Sequence, residues 1–298
     1  MKKLAFLSIV SAALVISMSS CTDKNKANQD GADSTKVEAQ GETFGPMGTW
    51  DYPEGSAIAN AEDVSVVLYA SGYKTAMEEK KDPAESTHIF YKADLVKAGD
   101  TKSTVKSIGD EYEIPNSLVI PFYKGAKAKK GDIILTWWQS GSGMQRAIVV
   151  DDSNPEEPKV CYLDLSFKGD GTGIAEKDAN ETLKPNSFIV LEDGKWAPGA
   201  SIVITEGTDQ KNGTIINVTD DKVLYEGFAG KVKVAKKSDC QLVPLKQSLK
   251  AGDGIKAVWV GSWKPDYKVV KVDEKIGRVW VKDENGKEEI KSILEVLK

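Results

Sequence analysis

The C-terminal stretch Lys250–Lys298 alternates short apolar runs with polar turns. Its three β-rich runs are separated by Gly261-Ser262, by Asp273-Glu274-Lys275 with Gly277, and by Asn285-Gly286. Asn-Gly between alternating apolar residues is a strong β-hairpin signal, because both residues accept the positive φ angles of a type I′ turn. The pattern therefore predicts a small antiparallel β-unit at this end of the chain.

Related patterns recur upstream. Pro115-Asn116-Ser117 returns 70 residues later as Pro185-Asn186-Ser187, and each leads into an apolar run, a polar turn and a new apolar run. The new runs open at Lys130-Gly131-Asp132 and Pro198-Gly199-Ala200, and a weaker join precedes Ala251-Gly252-Asp253. Such self-similarity predicts tandem structural units. Short apolar runs, Gly and Asn turns and the lack of a long helical period predict an all-β fold.

These patterns divide the chain into six predicted segments. They are a signal peptide at 1–20, a tether at 21–47, and β-units at 48–123, 124–192, 193–247 and 248–298. The first unit is the most diverged, because a charged insertion at Glu78–Asp82 lengthens its middle, and an unrelated β-domain is the alternative there. Units of this size have marginal cores alone, so we expect neighbours to pack together in an elongated array.

The last unit resembles a Tudor or SH3-like small barrel. The matching residues are Gly252-Asp253, Trp259, Trp263-Lys264-Pro265, Val279-Trp280-Val281, Asp283, Gly286 and Glu288. The resemblance implies tandem SH3/Tudor-like barrels, of which three are clear and the fourth is the diverged N-terminal copy. A barrel that closes on itself leaves few exposed strand edges.

The N-terminus has the pattern of a targeting signal. Lys2-Lys3 precede the apolar stretch Leu4–Met18, which is too short to span a bilayer as a helix. Met18-Ser19-Ser20-Cys21 resembles a bacterial lipobox, although Met18 stands where Leu is usual. The resemblance implies cleavage before Cys21 and its acylation, and an ordinary secretory signal is the alternative. Several acyl chains would anchor the protein stably. We expect the protein to be extracytoplasmic and anchored to a membrane of the bacterial envelope, with the outer membrane preferred over the inner one.

The segment that follows is strongly polar. Residues 22–47 contain few apolar side chains, and such a composition cannot offset the entropy of ordering, which predicts a flexible tether. Asp33-Ser34-Thr35 resembles the short O-glycosylation signal of Bacteroidetes envelope proteins. Ser34 is therefore a candidate glycosylation site, with a plain linker as the alternative.

The charge balance argues against nucleic acid as a partner. Without Lys2 and Lys3, the 40 basic residues become 38 against 45 acidic ones, a net charge of −7. No Lys/Arg stripe stands out, and the only arginines are Arg146 and Arg278. Nucleic-acid affinity rests on a basic footprint, which this chain lacks.

The sequence contains no recognisable catalytic constellation. His88 is the only histidine and has no evident triad partners, and Cys161 and Cys240 lie outside any Cys-x-x-Cys or metal spacing. We expect both cysteines to be buried free thiols, with a disulfide as the alternative. Gly169–Gly173 lacks the Lys-Ser/Thr of a P-loop and the carboxylates of an EF-hand. We therefore predict no enzyme activity, no cofactor and no metal.

The aromatic residues are the best candidates for a binding site. In Tudor-like domains the positions that match Trp259, Trp263 and Trp280 form an aromatic cage for methylated cations, helped by an acidic residue, here Asp283 or, as the alternative, Asp266. Cation–π attraction of this kind contributes about 0.5–2 kcal/mol. Val279 and Val281 share one face of their strand, which places Trp280 with Arg278 and Lys282 on the other. A possible secondary aromatic site comprises Trp137, Trp138 and Tyr162. The alternative is that all these rings are packed in cores.

The predicted function follows by analogy with the fold. We expect a membrane-anchored envelope lipoprotein that acts as a non-catalytic binding or adaptor module for an envelope polymer such as peptidoglycan, or for a protein segment. The alternative is a structural spacer or subunit of an envelope assembly. Exposed aromatic patches favour the first, and aromatics buried between units favour the second. The sequence leaves the oligomeric state open.

Overall fold

The computed structural model describes residues 57–165 and 180–298. Within these residues the chain is predominantly β, as predicted, with antiparallel strands, a short α-helix and several 3₁₀ turns. The predicted signal peptide and tether, with Cys21 and Ser34, lie outside the described residues, as does the loop Gly169–Gly173. Across the two described ranges, no helix has the length and apolar character needed to cross a bilayer.

Four groups of five strands follow one another, and we call them units 1 to 4. Unit 1 contains β1 (Val64–Ala70), β2 (Phe90–Lys97), β3 (Lys102–Ser107), β4 (Asp110–Pro115) and β5 (Val119–Tyr123). Unit 2 contains β6 (Ile133–Trp137), β7 (Met144–Asp151), β8 (Lys159–Tyr162), β9 (Asn180–Thr182) and β10 (Ile189–Val190). Unit 3 contains β11 (Ser201–Glu206), β12 (Asp209–Val218), β13 (Lys222–Glu226), β14 (Val232–Lys236) and β15 (Cys240–Leu242). Unit 4 contains β16 (Gly254–Trp259), β17 (Ser262–Asp273), β18 (Arg278–Lys282), β19 (Glu288–Ser292) and β20 (Val296–Leu297).

Short helical segments connect some of these strands. The α-helix α1 spans Gly72–Glu78. The 3₁₀ turns span Ala61–Asp63, Pro83–Glu85, Asn116–Leu118, Phe228–Gly230, Lys237–Asp239 and Ile293–Glu295. Three of these turns directly precede the fifth strand of units 1, 3 and 4, so they are part of the repeated pattern.

All four units have the same strand order. The first strand of each unit lies between the second and the fifth, and the third and fourth strands continue from the second as a meander. Among the described residues, the fourth and fifth strands of a unit do not pair with each other, so each sheet is open and the predicted closed barrels are not found. A pairing of Lys211 with Ser262 joins units 3 and 4 into one ten-stranded sheet.

A common backbone turn opens units 2, 3 and 4. Its glycine has a φ angle near 90°, which glycine adopts without steric cost; the three glycines are Gly131, Gly199 and Gly252. Each glycine N–H donates to a carbonyl on the second strand of its unit, those of Val149, Ile215 and Val269. The same second-strand residue donates its own N–H to the carbonyl of the residue after the glycine. The glycine-containing repeats in the sequence therefore correspond to one repeated turn.

One hydrophobic core is shared by all four units. Its fully buried members include Leu68 of unit 1, Leu135 of unit 2, Leu224 of unit 3 and Val279 of unit 4. Smaller cores lie inside unit 2, inside unit 3, and between units 3 and 4. The apolar strands identified in the sequence thus converge on a common centre.

The expected elongated array is wrong. In such an array each unit would contact only its neighbours in sequence. Instead, His88 N of unit 1 donates to Gly230 O of unit 3 at 2.8 Å, and Arg278 Nη1 of unit 4 donates to Leu163 O of unit 2 at 3.0 Å. Small β-units bury too little apolar surface alone, and a shared core increases the buried fraction.

Candidate binding surface

An exposed apolar surface lies where units 3 and 4 meet. Phe228 is 62% exposed, Trp259 50% and Val260 57%, and we call these three residues the aromatic patch. Phe228 belongs to the turn after β13, whereas Trp259 and Val260 belong to the turn after β16. Large apolar side chains exposed together are typical of interaction surfaces, and Trp is enriched among the residues that contribute most to binding.

The tip of the β16–β17 hairpin has an unusual backbone for its sequence. Val260 and Gly261 form a two-residue turn between the paired residues Trp259 and Ser262, with φ angles of 46° and 70°. Positive φ at both positions defines a type I′ turn, in which Asn or Gly is preferred. A β-branched residue such as Val260 is strained there, and backbone strain of this kind concentrates at functional sites.

Unit 3 holds this tip in place. Asn212 N donates to Gly261 O at 2.9 Å, which fixes the turn onto β12. Phe228 packs directly against the turn, because a Cβ added at Gly261 would lie 2.4 Å from the Cβ of Phe228. The Phe228 turn is itself fixed, since Gly230 O accepts the bond from His88 N of unit 1. The aromatic patch is therefore preorganised, which lowers the entropic cost of binding.

We expect Gly261→Ala to lower the free energy of unfolding by about 2–4 kcal/mol, because a methyl group would both force a left-handed backbone and overlap Phe228. The matched control is Gly252→Ala, which has a similar positive φ but open space around its Cβ position, so its loss should be near 1 kcal/mol. Urea unfolding of the two variants measures the difference. Equal losses would show that Phe228 does not pack on the tip.

The structure does not bring the residues of the predicted cage together. Trp263 is only 4% exposed and packs with Val203, Val243 and Val258. Trp280 is half-buried against the shared core and pairs across strands with Lys271. Lys271 is eight residues along β17 from Trp263, a contour of roughly 26 Å at the usual rise of a strand.

Two further contacts occupy the predicted cage residues. Lys271 Nζ lies 4.4 Å from the centre of the Trp280 ring, so a cation of the chain itself covers one face of this indole. Asp283 Oδ1 accepts hydrogen bonds from the backbone N–H groups of Asn285 and Lys287, at 2.9 and 2.8 Å, and so stabilises the β18–β19 turn. Of the four residues, Trp259 alone belongs to the aromatic patch.

The residues of the possible secondary site face two different cores. Trp137 points into the shared core, where its ring meets Phe122 edge-on at 5.6 Å between centroids. Trp138 and Tyr162 pack in the separate core of unit 2, because successive strand residues point to opposite faces. The Tyr162 hydroxyl donates to Glu181, and burial together with this bond raises the pKa of Tyr162.

Both arginines are buried where units meet. Arg146 of unit 2 forms an ion pair with Asp164, with 2.6 Å between Nη2 and Oδ1, and donates to Ser201 of unit 3. The Arg278 guanidinium donates to the carbonyls of Tyr162, Leu163 and Leu165. The strand pattern placed Arg278 on the same face as Trp280 and Lys282. Lys282 is exposed there, whereas Arg278 is buried because unit 2 covers that end of β18.

A third titratable group lies beside this ion pair. Glu226, at the end of β13, is half-buried. Burial and the nearby Asp164 carboxylate raise the pKa of Glu226 to about 7, while Arg146 acts in the opposite direction. Glu226 is two residues before Phe228, so the junction behind the aromatic patch changes charge near neutral pH.

The histidine and the cysteines lie in structural surroundings. His88 is buried, its Nε2 lies 2.8 Å from Pro83 O, and burial lowers the pKa of its imidazole. Cys161 and Cys240 are not joined to each other by a disulfide, as expected; Cys161 is buried, as predicted, whereas Cys240 is only half-buried. Burial and Asp239 raise the pKa of the Cys240 thiol to about 11. Cys240 therefore remains protonated, and a poor nucleophile, near neutral pH.

Sequence reasoning missed Phe228. It lies in Gly227-Phe228-Ala229-Gly230, where an aromatic residue between glycines has no alternating strand pattern to bury it, and that local signal could have identified it. Comparison with known proteins adds no assignment: no protein-family profile and no curated protein matches the chain.

Proposed function

We propose that this chain is a bacterial envelope lipoprotein, anchored to a membrane through acylated Cys21, whose tandem SH3/Tudor-like units form a non-catalytic binding or adaptor module. The proposed partner is an envelope polymer, peptidoglycan, or a protein segment. The observation that carries the proposal is the aromatic patch: three exposed apolar side chains on two turns that contacts with other units hold in place.

Two properties of the aromatic patch support a binding role. Its residues are large and apolar, and Phe228 packs against the other turn at Gly261. The strained backbone of Val260 lowers the stability of the fold, and Asn or Gly at this position would avoid the strain. An exposed valine kept there is therefore better explained by binding than by folding. The strand order of all four units, and the 3₁₀ turn before the fifth strand of units 1, 3 and 4, support interpreting each unit as an open form of a small SH3/Tudor-like barrel.

A structural spacer is the second candidate, and a different observation favours it. Trp137 and Trp263 are buried in cores to which more than one unit contributes, which is the arrangement expected if the aromatics only hold units together. Under this alternative the aromatic patch would have no partner. The two proposals therefore differ in the behaviour of Trp259.

The test is fluorine NMR of the full mature chain labelled with 5-fluorotryptophan. Trp259→Phe assigns the signal of Trp259, and Trp263 serves as a buried reference in the same protein. We expect the Trp259 signal to shift or broaden when soluble peptidoglycan fragments or detergent-solubilised envelope proteins are added, while the Trp263 signal stays unchanged. The two additions distinguish a polymer from a protein partner.

The matched variants compare two exposed apolar positions. Phe228→Ser should reduce the response of Trp259 to the partner, whereas Ile108→Ser, which removes a fully exposed side chain outside the aromatic patch, should not. A Trp259 signal that stays unchanged with both additions would contradict the binding role and leave the spacer. Mass spectrometry of the mature protein tests the anchor separately: acyl chains on Cys21 are expected, and an unmodified Cys21 would contradict it.

A further inference from the structure

A cleft of about 940 Å³ lies on unit 4, and no residue of the aromatic patch lines it. Its walls include the buried residues Ile255 and Tyr267, together with Gln241 from β15 and Leu297 from β20. The charged residues around it are Lys256, Lys268, Lys282, Lys298, Asp266, Asp283 and Glu284. The cleft is thus a charged site with an apolar floor.

Two lysines of this cleft are placed against each other. Lys268 on β17 and Lys282 on β18 are directly opposite in the strand register. Directly opposite residues have Cβ atoms about 4.5–5.5 Å apart, and like charges in such pairs are destabilising. The other cross-strand neighbour of Lys268 is Gly254, and that of Lys282 is Glu288. Neither lysine forms an ion pair with another described residue.

Most other charged groups of the cleft already have partners. Lys298 Nζ lies 2.7 Å from Asp253 Oδ2, and Lys256 Nζ donates to Gln210 Oε1 at 2.9 Å. Asp283 is engaged by the backbone of its turn. The ammonium groups that remain for a ligand are those of Lys268 and Lys282.

The backbone beside these lysines is irregular. The β16–β17 register shifts between Ile255 and Ala257, and Asp266 on the opposite strand has a φ angle of 70°. A β-bulge of this kind bends the strand and redirects side chains, and bulges are common next to binding sites. It lies two residues before Lys268, at the edge of the cleft.

We propose that this cleft binds a carboxylate of an acidic peptide segment, with Lys268 and Lys282 both donating to it. Lysine side chains that start from directly opposite strand positions can both reach one carboxylate, and its negative charge would remove the repulsion between the two ammonium groups. The carboxylates of a peptide are spaced further apart than the charges of a phosphate chain, so Asp266 and Glu284 at the rim would repel a phosphate chain more strongly than an acidic peptide. This site is separate from the aromatic patch, and either can fail without the other.

The test is isothermal titration calorimetry of the full mature chain with a hexaglutamate peptide at low salt. The double variant Lys268→Gln, Lys282→Gln should weaken binding by about tenfold or more, because both charge-assisted bonds are lost. The matched control is Lys264→Gln, an exposed lysine on the same strand that does not line the cleft, and its affinity should stay within about twofold.

Three outcomes would overturn the proposal. They are no binding of hexaglutamate to the unmodified chain, an equal loss of affinity in Lys264→Gln, and tighter binding of sodium tripolyphosphate than of hexaglutamate. The second outcome would indicate general charge attraction, and the third a phosphate site. Urea unfolding provides a control for folding, since removing a like-charge pair should leave the double variant at least as stable as the unmodified chain.

Discussion

Replacing Arg278 with Met is expected to lower the free energy of unfolding by about 3–5 kcal/mol, because a buried guanidinium and its hydrogen bonds are lost together. Arg278 is only 2% exposed and donates to three carbonyls of unit 2. Met fills a similar volume but donates to none of them, so Tyr162, Leu163 and Leu165 each lose a partner at a buried junction. Urea unfolding followed by tryptophan fluorescence measures the change.

Two variants separate the contributions of charge and geometry. Arg278→Lys keeps the positive charge, but a lysine ammonium cannot reach all three carbonyls that the planar guanidinium reaches. This variant should therefore still lower the free energy of unfolding by about 2 kcal/mol or more. Lys282→Met, on the same strand but exposed, should change stability by no more than about 0.5 kcal/mol. A loss below about 1 kcal/mol in Arg278→Met would show that the carbonyls are satisfied without the arginine.

The stability of the protein should depend on pH through Glu226. The folded state raises the pKa of this carboxyl from 4.5 to about 7, so between these values the folded chain holds a proton that the unfolded chain has released. Stability from this group is therefore complete below pH 4.5 and is lost progressively as the pH rises to about 7. The full shift corresponds to a loss of up to about 3 kcal/mol.

The measurement is the difference in unfolding free energy between Glu226→Gln and the unmodified chain from pH 4.5 to 8. Gln cannot ionise, so the variant should gain relative stability as the pH rises, and the gain should level off above pH 7. Taking the difference cancels other groups, including His88, whose pKa is lowered. Glu111→Gln, an exposed carboxyl, serves as the control. A pH-independent difference would contradict the role of Glu226.

The local structure could be predicted because it depends on short-range chemistry. The turns at Gly131, Gly199 and Gly252 were visible as repeats in the sequence. Each needs a positive φ angle, which glycine adopts without steric cost whatever its neighbours are. Val279 and Val281 were predicted to share one face of their strand, and both are fully buried. Alternation along the strand therefore identified which residues share a face.

The arrangement of the units could not be predicted in the same way. Alternation does not say which sheet covers a face, so the face assigned to Arg278 could not show that unit 2 would bury this side chain. The cage failed for a related reason. Trp259 and Trp263 are close in sequence, but one is exposed and the other is buried between units 3 and 4. The sequence did contain one indication that Arg278 has a special environment: arginine is rare in this chain, whereas lysine is abundant.

The shared core also constrains how the chain is assembled during synthesis. The carbonyl of Leu163 in unit 2 receives its bond from Arg278, 115 residues later. Unit 2 therefore emerges from the ribosome well before Arg278, the donor to its Leu163 carbonyl. Until unit 4 has been synthesised, the earlier units cannot complete their packing. Contacts of such long sequence separation slow folding and expose apolar surface in the meantime. A protein whose units fold independently could gain or lose one unit without harm to the rest. Here the deletion of any one unit would expose the hydrophobic core that the other three units share.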